Sequence, residues 1–110
     1  LHIYPTDGAV QRVAAQDTAY SHRDAKFVHI IAATSPDPAD MPGGTAWTRA
    51  YWQALHPHSS GGAYVNFLMD EGEDPVRAAY GQNFDRLVEL KNKYDPTNLF
   101  RRNQNIPPTT

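Results

Sequence analysis

Cysteine is missing from all 110 residues, which excludes a disulfide framework, a thiol nucleophile and a thiolate metal site. An excess of positive charge is missing too. Ten lysines and arginines stand against twelve aspartates and glutamates, for a formal net charge of −2. Nucleic acid and anionic lipid both call for a basic stripe, so neither is expected as a partner, and a small molecule is. Long apolar runs are also lacking. The longest, Phe27 to Ala33, is interrupted by His29 and falls far short of the roughly 20 residues that cross a bilayer, so no membrane segment is expected. Leu1 to Tyr4 reads as the middle of a strand, with no charged lead or cleavage pattern before it, and the chain is expected to continue upstream. The compartment stays open, with the cytoplasm favoured if the source is bacterial.

What is present describes one domain or a piece of one. Hydrophobic residues make up 40% and charged residues 20%, both near the globular average. After Leu1–Tyr4, the Pro5-Thr6-Asp7-Gly8 group predicts a reversal. Ala9–Ala15 alternates in part and Ala25–Thr34 is rich in Val, Ile and Phe, so the two are expected as neighbouring strands, the second one buried. The polar link Gln16–Asp24 is expected at a sheet end, within reach of a ligand. Trp47, Ala50, Tyr51, Ala54 and Leu55 fall at helical spacing within Thr45–Leu55 and predict an amphipathic helix that stops at Pro57. A strand is expected at Ala63–Leu68, an acidic loop at Asp70–Asp74, and a helix entering at Asp74-Pro75. Tyr80, Phe84, Leu87, Val88 and Tyr94 then share one helical face up to Asp95-Pro96, where proline ends the helix. Alternating strands and helices point to an α+β or α/β organisation.

In the expected strand, Tyr64 and Asn66 share one face and Val65 and Phe67 the other. The apolar pair is expected to enter the core, leaving a phenol and a carboxamide side by side after the Gly61-Gly62 hinge. Two readings stand for that face: a ligand-facing wall, or an ordinary half-exposed surface. Asn83, just before Phe84, suits a helix N-cap. Asp95-Pro96-Thr97-Asn98 has the residue order of a type I turn and reads as scaffold. His56-Pro57-His58 lacks a nearby third ligand, so no metal site is assigned. His29 is expected to be packed. Arg23 and Arg49 are expected to pair with carboxylates or to line a substrate. Trp47 and Trp52, five apart, cannot both face the core squarely.

The order YVNF (Tyr64–Phe67), an acidic spacer, AYGQNFDRLVELKNKYDPTNLF (Ala79–Phe100) and RNQNIPP (Arg102–Pro108) resembles the C-terminal signature of berberine-bridge-enzyme-like FAD-linked oxidases, of the vanillyl-alcohol-oxidase-type flavoprotein superfamily. That signature runs Y-x-N, YG-x-N, R-L, lysine, Y-D-P-x-N-x-F and a closing Q-x-I. Upstream, Asp17–Ala25 and Trp47-Thr48-Arg49 also look like the substrate domain of bacterial members.

The resemblance implies an α+β fold of antiparallel sheet strands with covering helices, as a C-terminal fragment of a two-domain flavoprotein. Residues 1–62 would belong to the substrate-binding domain, and residues 63–110 to the berberine-bridge-like segment that returns to the flavin. It implies FAD, held mainly by an N-terminal FAD-binding domain outside this chain, so the fragment alone is expected to be inactive. Tyr64 corresponds to the family's base, which takes the proton of a substrate hydroxyl. A free phenol has a pKa near 10, so this role needs neighbours that stabilise the phenolate. Asn66 and Asn83 correspond to carboxamides near the flavin, and for Asn83 the capping and flavin readings both stand. The implied reaction is oxidation of a hydroxyl or related C–H group of a sugar or secondary metabolite. The alternative is a stand-alone α+β binding or interaction module without catalysis, for which the intact protein would show no flavin-like absorption.

Overall fold

The computed structural model describes residues 1–69, 72–102 and 104–109. Asp70 and Glu71 of the expected acidic loop, and Asn103 of the tail, lie outside the described residues. The elements are β1 (His2–Pro5), a single helical turn α1 (Ala9–Arg12), β2 (Phe27–Ile30), α2 (Met41–Leu55), α3 (Glu73–Tyr80) and α4 (Phe84–Tyr94). Short 3-10 turns occupy Pro38–Asp40, His56–His58, Val65–Phe67 and Gly81–Asn83.

β1 and β2 form a two-stranded antiparallel sheet, with His2 opposite Ile30 and Pro5 opposite Phe27. Thr6 closes its end, the backbone amide donating to the Lys26 carbonyl at 3.0 Å and the hydroxyl donating to the Ala25 carbonyl. This corrects the expected strand partners. Ala9–Ala15 is not a strand beside β2, because Val10 and Val13, three apart, fit a helical turn as well as a partial alternation, and the chain takes the turn at Ala9–Arg12. The expected buried strand also shrinks to Phe27–Ile30, whose alternate residues are exposed. His29 is among them and is not packed: its side of a two-stranded sheet is uncovered among the described residues.

α2 starts at Met41, with Pro42 in its first turn. Its half-buried positions are Gly44, Thr48, Tyr51 and Leu55, spaced four, three and four as one helical stripe requires. The expected inward face is thus shifted. Trp47 and Trp52 are 50% and 51% exposed, so neither is directed into the core. They pack along the helix instead, Trp47 against Tyr51 with ring centres 5.3 Å apart and Trp52 against His56 at 4.4 Å.

Among the described residues the buried apolar side chains are Val76 and Ala79 of α3 and Phe84 of α4. Val and Phe each contribute roughly 1.5–3 kcal/mol by leaving water. The Arg77 guanidinium lies 4.1 Å from the centre of the Phe84 ring and meets the Asp85 carboxylate at 3.1 Å. A continuous helical face over Tyr80–Tyr94 is not found, since the chain breaks at Gly81–Asn83. Phe84, Leu87 and Val88 still turn inward, whereas Tyr94 is 72% exposed.

α4 stops at Tyr94, as the following Asp-Pro pair predicts. The Asn98 amide donates to the Asp95 carbonyl at 3.0 Å, closing the expected turn. The Asp95 carboxylate then accepts the Leu99 and Phe100 amides at 2.7 and 3.0 Å and pairs with Lys91, whose ammonium also donates to the Phe100 carbonyl at 2.7 Å. Asn98 sits at φ 54°, a left-handed conformation that asparagine adopts more readily than most residues.

The Lys91 ammonium, followed by the two backbone amides, holds the Asp95 carboxyl below its ordinary value of 3.8. A carboxyl whose pKa is depressed by folding stabilises the fold above its unfolded pKa, and that contribution is lost as pH falls through the folded value. Asp95→Asn should therefore lower the melting temperature at pH 7. The gap from the parent protein should narrow once the pH passes below about 4, which thermal melts followed by circular dichroism will show.

Candidate functional site

The segment that carries Tyr64 is not a strand. Tyr64 is extended (φ −91°, ψ 114°), but the Phe67 amide donates to the Tyr64 carbonyl at 2.9 Å and the Leu68 amide to Val65 at 3.2 Å, winding Val65–Phe67 into a 3-10 turn. With no neighbouring strand among the described residues to supply partners, the backbone satisfies itself locally. The alternation expected from a strand therefore fails. Phe67 does not enter the core; it is exposed, and its ring meets that of Tyr64 edge to face at 5.0 Å. Tyr64 and Asn66 are brought together all the same, the Asn66 side-chain amide donating to the Tyr64 hydroxyl at 2.9 Å. Tyr64 is 37% exposed, so this pair stands at a surface.

Behind it lies the polar link. A Cβ at Gly62 would overlap the imidazole of His22, and one at Gly81, already at φ +52°, would come within 2.8 Å of the Ser21 hydroxyl. Both glycines let the chain pass at contact distance. His22 is fixed in turn by its Nε2, 3.0 Å from the Ala78 carbonyl of α3. Tyr20 consequently reaches Tyr64, with ring centres 5.9 Å apart and planes at 89°. Arg23 does not pair with a carboxylate among the described residues. Its guanidinium donates to the Tyr20 and Val10 carbonyls and the Thr18 hydroxyl and stands 5.0 Å from the Tyr20 ring centre. Burial raises the Tyr20 phenol above its ordinary pKa, the Arg23 charge opposes the rise, and Tyr64 and Asp24 add to it.

Asn83 occupies the position before α4, but its side chain makes no capping bond, which corrects the capping expectation. The side-chain amide instead donates to the carbonyls of Ala15, Thr18 and Ala19 at 2.7, 3.0 and 3.4 Å, and the residue is buried. A capping bond would need its oxygen turned to the α4 amides, whereas burial against three carbonyls calls for a donor.

On the other side of Asn66 an open groove of about 780 Å³ is lined by Asn66, Leu68, Met69, Tyr80, Arg102 and Gln104. Gln104, from the closing Q-x-I, donates to the Leu68 and Met69 carbonyls at 2.8 and 3.0 Å and ties the tail to this segment. Burial raises the phenol pKa of Tyr80. Among the described residues no three metal-ligating side chains cluster, at His56 and His58 or elsewhere. Sequence reasoning missed Tyr20, Tyr80 and Arg102 as neighbours of the Tyr64–Asn66 pair. The expectation that Gln16–Asp24, with His22 in it, approaches a ligand was the available signal, and it did not name Tyr20.

Residues 63–107 match the model of the family described as berberine and berberine like. The chain carries this family's berberine-like segment. An FAD-linked oxidoreductase of Dictyostelium discoideum is 33% identical over 102 residues, taking in 92% of this chain and 22% of that protein. Berberine bridge enzyme-like C-1 of Nicotiana tabacum is 33% identical over 138 residues, with 96% and 25% covered. The solved structure of a chitooligosaccharide oxidase superposes with a TM-score of 0.70 at 30% identity, covering 94% of this chain and 23% of that one. The chain thus spans about a quarter of the length of the curated relatives it matches. Its antiparallel pair and helices, with the berberine-like segment, correspond to one part of a larger oxidase.

Asn83→Ala removes the donor from three part-buried bonds to the 15–19 loop and should cost about 1–3 kcal/mol in a denaturant titration. Asn83→Asp, which sets a carboxylate against the same oxygens, should cost more than the alanine. An aspartate variant as stable as the parent would refute the donor role.

Proposed function

We propose that this chain is part of an FAD-dependent oxidoreductase that oxidises a hydroxyl or related C–H group of a sugar or secondary metabolite, with Tyr64 as the base. The observation that carries this reading is the Asn66 amide donating to the Tyr64 hydroxyl oxygen at an exposed edge. A donor on that oxygen stabilises the phenolate, the form that can accept a proton once the phenol has released its own to solvent. The names of the relatives support the same class: FAD-linked oxidoreductase, berberine bridge enzyme-like and chitooligosaccharide oxidase. The last makes an oligosaccharide one concrete form of the sugar substrate.

The residues present fit a flavin. The groove beside Asn66 offers a carboxamide, a phenol and a guanidinium around apolar Leu68 and Met69, a donor set suited to a flat ring with a hydrogen-bonding edge. FAD, when bound, supplies the hydride acceptor, which oxygen then reoxidises. Asn66 holds the Tyr64 oxygen and would face the flavin, while Tyr64, as the phenolate, would take the substrate's hydroxyl proton. Asn83, its amide nitrogen committed to three carbonyls, keeps only its oxygen for the flavin. On this reading residues 1–62 belong to the substrate-binding domain and 63–110 to the segment that returns to the flavin, whose main binding domain is N-terminal.

A stand-alone binding module is the weaker reading. The Cα radius of gyration is 16.0 Å, against roughly 13 Å for a compact domain near this length. Ile3, Phe27, Trp47, Trp52, Leu99 and Phe100 are all exposed. That apolar surface is what a larger body would cover.

In the full-length protein a flavin absorption band is expected, and its absence would overturn the assignment. Tyr64→Phe should retain the flavin while its anaerobic reduction by substrate slows about 100-fold, the scale of a lost general base. Reduction at the parent rate would leave Tyr64 a structural residue.

A further inference from the structure

We infer that Tyr20 is a positioning residue for Tyr64, holding the phenol by an edge-to-face contact that is itself anchored through Arg23. The inference rests on the reading of Tyr64 as the base and goes further, because it assigns a task to a segment far from the berberine-like one in sequence.

Tyr64 is the extended residue just before a short 3-10 turn, at an exposed edge, and such a backbone does little to hold a side chain. Its hydroxyl is held by Asn66, but a single bond to the end of a ring leaves the ring free to pivot about it. Two aromatic contacts remove that freedom. Phe67 meets the Tyr64 ring at 5.0 Å and 83°, and Tyr20 meets it at 5.9 Å and 89°. Phe67 belongs to the same turn and moves with it. Tyr20 does not. It comes from a loop that is itself fixed: Arg23 donates to the Tyr20 carbonyl and packs on the Tyr20 ring, His22 is held to Ala78, and Asn83 binds the carbonyl of Ala19. Edge-to-face pairs prefer one relative orientation, so a fixed Tyr20 imposes a fixed Tyr64. A proton acceptor loses rate steeply when displaced by about an ångström, which gives this contact its kinetic consequence.

The test is a double-mutant cycle in the full-length flavoprotein, read as the rate of flavin reduction at saturating substrate, with the flavin spectrum as the check on cofactor binding. Tyr20→Leu should slow reduction about 10-fold or more in the parent background and have no effect in the Tyr64→Phe background, because a residue acting through the Tyr64 hydroxyl has nothing left to position. Tyr20→Phe, which keeps the aromatic edge, should restore the rate to near that of the parent. If Tyr20→Leu fails to retain flavin, the cycle is run with Tyr20→Met, which keeps the side-chain bulk without the ring. An equal loss in both backgrounds, or no loss in the parent, overturns the inference. The failure of the base reading is a different result: Tyr64→Phe itself reduced at the parent rate.

Discussion

The side-chain amide of Asn83 points into a loop that precedes it by more than sixty residues and donates to three of its carbonyls. Placed at the joint between α3 and α4, this one group brings the 15–19 loop against the helical pair, and the next few residues follow. Ser21 and His22 then pass Gly81 and Gly62 so closely that neither position has room for a Cβ. Tyr20 arrives beside Tyr64 as a consequence. Three carbonyls turned to one point repel one another, and a donor in their midst offsets that repulsion and favours this path of the loop. The aromatic cluster inherits its geometry from that polar contact and not from a sheet.

Local signals were read correctly where local chemistry decides. Proline ends α4 at Tyr94, Asp95 organises the turn after it, and Pro75 stands in the first turn of α3, each from the backbone preference of one or two residues. The α+β character, an antiparallel pair with helices, came from the resemblance, since the alternation of strands and helices left α/β open beside it. What failed needed knowledge of partners. Ala63–Leu68 has the composition of a strand, yet no described strand lies beside it, and the backbone closed on itself. Ala9–Ala15 carried two valines whose spacing served helix and strand alike. His29 was expected to be packed in its strand, and Trp47 and Tyr94 were placed on apolar stripes by helical spacing, and neither argument says whether anything lies opposite.

The pair Tyr64 and Asn66 was predicted for the wrong geometrical reason. A strand would have set the two side chains parallel on one face; the 3-10 turn swings the carboxamide onto the phenol oxygen and makes a direct bond. The resemblance pointed to the same two residues without any assumption about backbone. It also took in Asp17–Ala25, which holds Tyr20 and His22, but said nothing of that stretch packing against Tyr64.

The distribution of burial argues for the same division of labour. Val76, Ala79 and Phe84 make a core that fixes α3 against α4, and no other apolar side chain among the described residues reaches that degree of burial. Three such residues contribute only a few kcal/mol by leaving water, while ordering each residue costs roughly 1–2 kcal/mol of backbone entropy. A chain of this length with so little core needs its exposed apolar faces covered to hold one conformation, and those faces are the sheet, α2 and the stretch after the Asp95 turn. Tyr64, Asn66 and the groove beside them also stand at an open edge. The apolar faces that fold stability requires to be covered and the open edge at Tyr64 and Asn66 therefore ask for the same thing: a larger body of protein against them.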